Sequence, residues 1–276
     1  MDLSFAILTW NSARYIARCI ESIDAALAQS PLSYEVLVLD NGSKDESVEL
    51  LERLSGQSNG RIVPFYEKTN IGTTRSRNRL FAAARGKYLC VMDSDVELGE
   101  RVVDTLISML DEDAGIGLVA PRVQYASGNW QKSFDRFPTL FDKINRFFRL
   151  KTIEEREAMQ VESAVTPFVV DYVISAFWLM RRELLRTVGL LDERIFYAPE
   201  DVDFCLRVWK SGYRIVYVPA VSITHHTQEL SRGWKLNKAK VAHLQGLAYY
   251  FMKHRYLLRR PDLTKTRGPA ADHSLQ

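Results

Sequence analysis

The chain has 276 residues, 46% hydrophobic and 26% charged, enough to bury the core of one main domain with an appended C-terminal piece. Its net charge of +3 is unevenly spread, with 27 Lys/Arg against 32 Asp/Glu in residues 1–231 and 10 against 2 in residues 232–276. The acidic body argues against nucleic acid as a partner. The lack of a basic leader, or of an uncharged apolar run near ~20 residues, argues against a secreted or membrane-spanning protein.

In chain order, Leu3 to Thr9 is a short apolar run. From Asn11 onward Tyr15, Ile16, Cys19, Ile20, Ile23 and Leu27 recur at helical spacing. Glu35 to Leu39 predicts a second strand and Asp40-Asn41-Gly42 a turn. Ser43 with Glu46 reads as a capping box for a helix whose apolar face is Val48, Leu51 and Leu54. Arg61 to Tyr66 predicts a third strand, Thr73 to Ala84 a helix ending near Gly86, and Tyr88 to Met92 a fourth strand. Val102, Val103, Leu106, Ile107 and Leu110 mark the inner stripe of another helix. Such alternation implies an α/β fold with a mostly parallel sheet flanked by helices, in which ligands bind beyond the carboxyl ends of the strands.

Residues 124–165 break the alternation, mixing Phe134, Phe137, Phe141, Phe147 and Phe148 with basic residues, and read as a variable insertion or lid. Order resumes with Val169 to Met180 as strand and Arg182 to Val188 as a helix closed by Gly189. Val202 to Lys210 follows as a helix closed by Gly212, then Tyr213 to Val218 as strand. Cys19, Cys90 and Cys205 lie far apart on apolar faces. They fit small buried hydrophobes in a reducing compartment better than disulfides or zinc ligands, so a cytoplasmic location is expected.

Three constellations can carry chemistry. Asp93-Ser94-Asp95 ends the fourth strand, where two carboxylates repel and lose hydration unless something compensates; they can hold a hard divalent ion or simply form a solvated strand end. Glu200, Asp201 and Asp203 crowd a helix start after the aromatic pair Phe196-Tyr197. They favour the helix dipole, yet exceed what a cap needs, and one of them could serve as general base. Ser222 to His226 runs as a strand into His225 and His226, plausible metal or phosphate partners or satisfied surface residues.

Read together, Thr9-Trp10-Asn11, Val38 to Asp45, Asn70-Ile71-Gly72 leading to Arg77-Asn78, Asp93-Ser94-Asp95, Gly189 to Glu193 through Glu200 to Asp203, and His225 resemble the family 2 glycosyltransferases with the GT-A fold. The likeness runs from about residue 3 to 230, with a Rossmann-like sheet. It implies that Asp201 is the catalytic base. Thr9, Asn11, Asp40, Asn70, Arg77, Asp93, Ser94 and Glu200 would surround a nucleotide-sugar donor. Asp93, Asp95 and His225 would hold Mg²⁺ or Mn²⁺ at its diphosphate. Departures are Trp10 where relatives often have Tyr, Leu80 where they often have Gly, and Ser175-Ala176 in place of Gly-Ala, which would narrow the acceptor side.

The implied organisation is a nucleotide-binding half over 1–123, the insertion over 124–165, an acceptor and catalytic half over 166–230, and a basic C-terminal extension over 231–276. The implied activity is inverting, metal-dependent transfer from a nucleoside-diphosphate sugar, first dTDP-rhamnose and otherwise a UDP- or GDP-sugar, to a surface-glycan or polyprenyl-linked acceptor. Competing readings are a nucleotidyltransferase, which would need a glycine-rich phosphate loop, a phosphohydrolase using Asp93 as nucleophile, and a silent binding protein. Between Arg232 and Arg260 there are eight Lys/Arg and no acid. If helical, this stretch is either an interfacial contact with anionic membrane at the inner face of the cell membrane or a basic helix packed on the acidic body.

Overall fold

The structure, a computed structural model, describes residues 1–142, 164–227 and 238–263. Strands β1 (Leu3–Thr9), β2 (Tyr34–Asp40), β3 (Ile62–Tyr66) and β4 (Tyr88–Asp93) alternate with helices α1 (Ile16–Ala26), α2 (Ser47–Gln57) and α3 (Thr73–Ala83). Then come β5 (Val96–Leu98), α4 (Val102–Glu112), β6 (Ile116–Tyr125), β7 (Phe134–Asp135), β8 (Phe168–Val169), β9 (Tyr172–Val173) and β10 (Phe177–Arg181). Helices α5 (Leu184–Val188) and α6 (Glu200–Lys210), strand β11 (Arg214–His225) and helix α7 (Lys238–His254) complete the described residues.

The main sheet has the order β3-β2-β1-β4-β10-β6-β11-β5, with β8 also paired to β11. Strands β3, β2, β1 and β4 form a parallel wing. Strand β10 enters antiparallel between β4 and β6, β11 lies parallel to β6, and β5 caps the edge antiparallel to β11. The sheet is buried on both faces, which is why its strands read as continuous apolar runs. Phe5, Ile7, Val38, Cys90 and Met92 pack toward α1 and α4, while Ala6, Leu37, Leu39 and Val91 pack toward α3, α6 and α7. All three cysteines are free and buried.

Several sequence expectations need correction. No Ser43–Glu46 capping box forms. Ser43 turns back to bond Asp40, and Asp45 instead accepts the N–H (3.1 Å) and hydroxyl (2.6 Å) of Ser47 at the start of α2. The strand expected over Val169 to Met180 is three short pieces: β8 pairs with β11, β9 forms a separate ribbon with β7, and only β10 joins the centre of the sheet. Conversely, the segments expected around Tyr213–Val218 and Ser222–His226 are one strand, β11, whose register against β6 shifts between Val218 and Ser222. Part of the expected insertion is ordered: β6 extends to Tyr125, Gln124 bridges Trp130, and Trp130 and Phe137 are buried. The lid reading for residues 143–163 lies outside the described residues.

Candidate active site

The loops after β1, β2 and β3 meet at the carboxyl edge of the parallel wing, and their polar side chains stitch them together. Asp40, 1% exposed and in register with Thr9, accepts hydrogen bonds from the N–H groups of Gly42 (3.1 Å) and Ser43 (2.9 Å) and from the Ser43 hydroxyl. Asn11 sits at φ 51°, where asparagine is tolerated better than most residues; its amide oxygen accepts the Lys44 N–H at 2.7 Å and its own N–H reaches the Ser43 hydroxyl at 2.8 Å. The Asn41 amide donates to the Asn70 oxygen (3.1 Å) and accepts from Ile71 N–H (2.9 Å), and Gly72 N–H closes onto Asn70 (2.9 Å). Thr9, Asn11, Asp40 and Asn70 are thus brought to one edge. The Thr9 hydroxyl is buried there with no hydrogen-bond partner among the described residues.

The aspartates at the end of β4 meet His225 because β11 runs antiparallel against β5. His225 pairs with Val96, His226 N–H donates to the Asp95 carbonyl at 2.8 Å, and the His225 Nε2 comes 3.3 Å from Asp95 Oδ1. One ligand atom from each of Asp93, Asp95 and His225 lies within 4.8 Å of the others. Burial disfavours imidazolium at His225, but Asp95 and Asp93 outweigh it and hold its pKa above the ordinary value. Burial, with help from Asp95, pushes the Asp93 carboxyl up against the opposing pull of Arg77. Two crowded carboxylates beside an imidazole are a donor set that fits a divalent cation. The other ring nitrogen, Nδ1, lies 3.1 Å from the Gln131 oxygen, which would leave Nε2 as the ligating atom. Nothing in the sequence flagged Gln131, since it comes from the irregular segment after β6.

Arg77, only 1% exposed, connects this cluster to the start of α6. Its Nη2 donates to Asp93 Oδ1 at 2.7 Å and to the Ser175 carbonyl at 3.0 Å, and its Nη1 donates to Glu200 Oε1 at 3.1 Å. The Ser175 hydroxyl donates to the same Glu200 oxygen at 2.8 Å. Burial, reinforced by Asp201, pushes the Glu200 carboxyl up to about 8 despite Arg77. Arg77, expected with Glu200 at the donor, thus links Glu200 to Asp93. Asp201, half-buried in the first turn of α6, accepts its neighbour's Val202 N–H at 2.8 Å. The Tyr197 hydroxyl lies in the combined field of Glu200, Asp93 and Asp201, which adds to burial in raising its pKa.

The segment ahead of α6 is held from α3. Thr73 N–H donates to the Phe196 carbonyl (2.8 Å) and the Thr74 hydroxyl to the Ile195 carbonyl (2.7 Å). Gly72, at φ 92°, makes that approach possible: a Cβ there would stand 2.6 Å from the Phe196 oxygen. Asn78 donates to the Leu191 carbonyl (3.0 Å) and accepts from Leu191 N–H (2.9 Å). Ser94 is buried beside the aspartates.

A family model described as "Glycosyl transferase family 2" matches residues 4–189. The chain belongs to glycosyl transferase family 2. It is 23% identical over 219 residues to "Glycosyltransferase GlyG" of Streptococcus pneumoniae serotype 4, covering 78% of this chain and 67% of that one. It is 26% identical over 239 residues to the "N-acetylglucosaminyl-diphospho-decaprenol L-rhamnosyltransferase" of Mycobacterium tuberculosis, covering 81% and 76%. "Rhamnosyltransferase WbbL" of Escherichia coli K12 is 24% identical over 257 residues, covering 92% and 94%. Among solved structures, GalNAc-T7 with UDP, GalNAc and Mn²⁺ superposes with a TM-score of 0.69 at 16% identity, covering 91% of this chain and 48% of its own. The mannosyltransferase PcManGT of Pyrobaculum calidifontis gives 0.63 at 18% identity, over 95% and 66%. This chain thus spans about half the length of GalNAc-T7. The fold is GT-A and the protein is a glycosyltransferase; the phosphohydrolase and silent-binder readings find no support among these relatives. Asp201, His225 and α7 lie beyond the segment that the family model matches.

Proposed function

We propose that the enzyme transfers a sugar with inversion from a nucleoside-diphosphate sugar to a hydroxyl of a surface-glycan or lipid-linked acceptor, using Mg²⁺ or Mn²⁺. The observation that carries this reading is the convergence of Asp93, Asp95 and His225, joined through Arg77 to the helix that begins Glu200-Asp201. Asp93, Asp95 and His225 would hold the cation, which when bound supplies neutralising charge for the departing diphosphate. Asp201 would take the proton of the acceptor hydroxyl, and a single displacement assisted by a single base inverts the anomeric carbon. Thr9, Asn11, Asp40, Asn70 and Ser94 would line the donor side, within a nucleotide-binding half of residues 1–123, and residues 166–230 would supply the acceptor side.

The first choice of donor is dTDP-rhamnose, since two of the relatives are named rhamnosyltransferases. A polyprenyl-diphosphate-linked acceptor follows from the decaprenol in one of those names. No helix among the described residues is long and apolar enough to cross a membrane. The outward face of α7 exposes Val241, Leu244 and Met252 in a stretch free of acids, which suits peripheral contact with an anionic membrane surface.

Thermal-shift titration with dTDP, UDP and GDP, each with and without Mn²⁺ or Mg²⁺, tests the reading. A ligand at 100 times its Kd should stabilise by about 2.7 kcal/mol. One nucleotide should do so only with metal, and Asp95→Asn should remove the metal-dependent part. Binding of none of the three, with either metal, would overturn the donor-site assignment.

A further inference from the structure

Helix α7 does more than cover apolar surface. Its inner side grips the segment 192–203 at three points on both sides of Asp201. Lys253 Nζ bridges two carboxylates from different elements, Asp203 Oδ1 at 2.5 Å and Asp192 Oδ2 at 2.8 Å. His254 Nε2 joins the same Asp203 oxygen at 2.8 Å, and the Tyr249 hydroxyl donates to Asp192 at 2.8 Å. Gly246 lies flat on the peptide just before α6: a Cβ there would stand 2.2 Å from the Ala198 oxygen and 3.2 Å from Pro199 Cδ. Tyr250, fully buried, fixes the helix between these contacts.

This placement is costly, which is why it points to a task. Asp203 is wholly buried, two residues after Asp201, and already has an ion pair within its own helix, to Arg207 Nε at 2.9 Å. Recruiting Lys253 and His254 as well desolvates two further cationic or polar groups, and a well-packed apolar patch would hold the helix at least as firmly. What charge adds over apolar packing is direction. The two carboxylates bracket the loop Arg194 to Pro199 and the first turn of α6, so a lysine shared between them fixes the distance from one to the other.

We infer that α7 is the positioning element for Asp201, acting through Lys253 and Gly246, neither of which touches the reacting atoms. The inference rests on the reading of Asp201 as the base. Displacing a reacting group by about 1 Å costs on the order of 10²-fold in rate, so a small movement of the α6 start is enough to matter.

The test uses the full chain. Lys253→Met keeps the Arg207 and His254 partners of Asp203 and the Arg194 and Tyr249 partners of Asp192, so the fold should survive. Its expected phenotype is a fall in kcat of roughly tenfold or more, with the metal-dependent nucleotide affinity and donor KM within about twofold of wild type. Lys253→Arg, which keeps the cation, should recover most of the loss. Gly246→Val should act in the same direction and more strongly. Lys87→Met, which removes an exposed pair to Asp111 (3.2 Å) at the opposite end of β4, should change nothing.

Turnover is read as nucleoside diphosphate released from dTDP-rhamnose, a UDP-sugar or a GDP-sugar with N-acetylglucosaminyl-diphospho-decaprenol as acceptor. Hydrogen exchange of the amides of residues 196–198 and 200–203 is followed in parallel and should speed up in Lys253→Met and Gly246→Val, but not in β4. Unchanged kcat and unchanged exchange in a folded Lys253→Met would overturn the inference, as would equal losses in nucleotide affinity and kcat. Unchanged exchange alone decides against it if no donor is turned over, and Lys253→Met decides if Gly246→Val does not fold. Normal transfer by Asp201→Asn would instead overturn the base assignment itself.

Discussion

The carboxyl edge of the parallel wing, proposed as the donor side, and the region around α6, proposed as the catalytic side, are held together by different chemistry. Around β1, β2 and β3 the loops are joined mainly by asparagine and serine side chains bonded to nearby main chain, as with Asn41 to Ile71 and Asn11 to Lys44. From Ser175 onward the fixing groups are ions brought from distant elements into buried or half-buried positions: Arg77 between Asp93 and Glu200, Lys253 between Asp192 and Asp203. Neutral stitches cost little to desolvate and fail one at a time, whereas a buried ion that loses its partner leaves an uncompensated charge. A site assembled this way should have a tolerant proposed donor wall and a proposed catalytic wall sensitive to single substitutions.

The largest effect should come from the reacting group. Asp201→Asn removes the proposed base without altering its size, so transfer should fall by about 10²–10⁴-fold while metal-dependent nucleotide binding, measured by calorimetry, stays at the wild-type value. Normal transfer by this variant would assign the proton to another group.

Next comes the link between the two walls. Arg77→Met leaves Asp93 and Glu200 without their shared guanidinium and should destabilise the fold by about 3–5 kcal/mol in urea denaturation. Asn41→Ala, which removes two neutral bonds on the donor side, should cost only about 1–3 kcal/mol. Equal costs at the two positions would erase the distinction between the walls.

The same contrast decides what could be read from the sequence. The β-α alternation up to Asp93 is local, since apolar period and turn residues lie within each element, and strands β1 to β4 fall where the pattern puts them. Asp93, Asp95 and His225 could be named as a group only through the family resemblance, because 130 residues separate Asp95 from His225 and the β5–β11 pairing that joins them leaves no local signature. The breaks around Asp171 and Ser175 were hidden because these are single polar residues in the otherwise apolar run Val169 to Met180, so a strand that changes partners looks like one that does not. The Ser43–Glu46 pattern misled because the Ser43 hydroxyl accepts the Asn11 N–H and donates to the buried Asp40 instead of accepting an N–H at the start of α2. As for the basic tail, composition left membrane contact and packing on the body open together; α7 packs on the body with one side, and its other side remains exposed.

Two buried glutamates, Glu35 at the amino end of the parallel wing and Glu200 at the start of α6, should respond to pH with opposite sign. Glu35, on β2, accepts from the Ser4 hydroxyl (2.7 Å), the Arg85 N–H (2.9 Å) and the Arg85 side chain; burial opposes its charge, but these donors prevail and lower its pKa. A carboxyl depressed in the folded state contributes stability that is present above its unfolded value, here 4.5, and is lost as pH falls through the folded value. Glu200 is the reverse: its carboxyl is raised from 4.5 to about 8, so the native state binds more protons than the unfolded chain between those values, and stability declines as pH rises across that window. In urea midpoints at pH 5, 7 and 9 without metal, Glu35→Gln should lose stability relative to wild type at all three. Glu200→Gln should gain relative to wild type from pH 5 to pH 9, because the amide cannot acquire the charge that Arg77 only partly offsets. Parallel pH profiles for wild type and Glu200→Gln would mean that Arg77 fully compensates the Glu200 carboxylate, and burying that charge at the start of α6 would then cost no more than burying Glu35 at the amino end of the sheet.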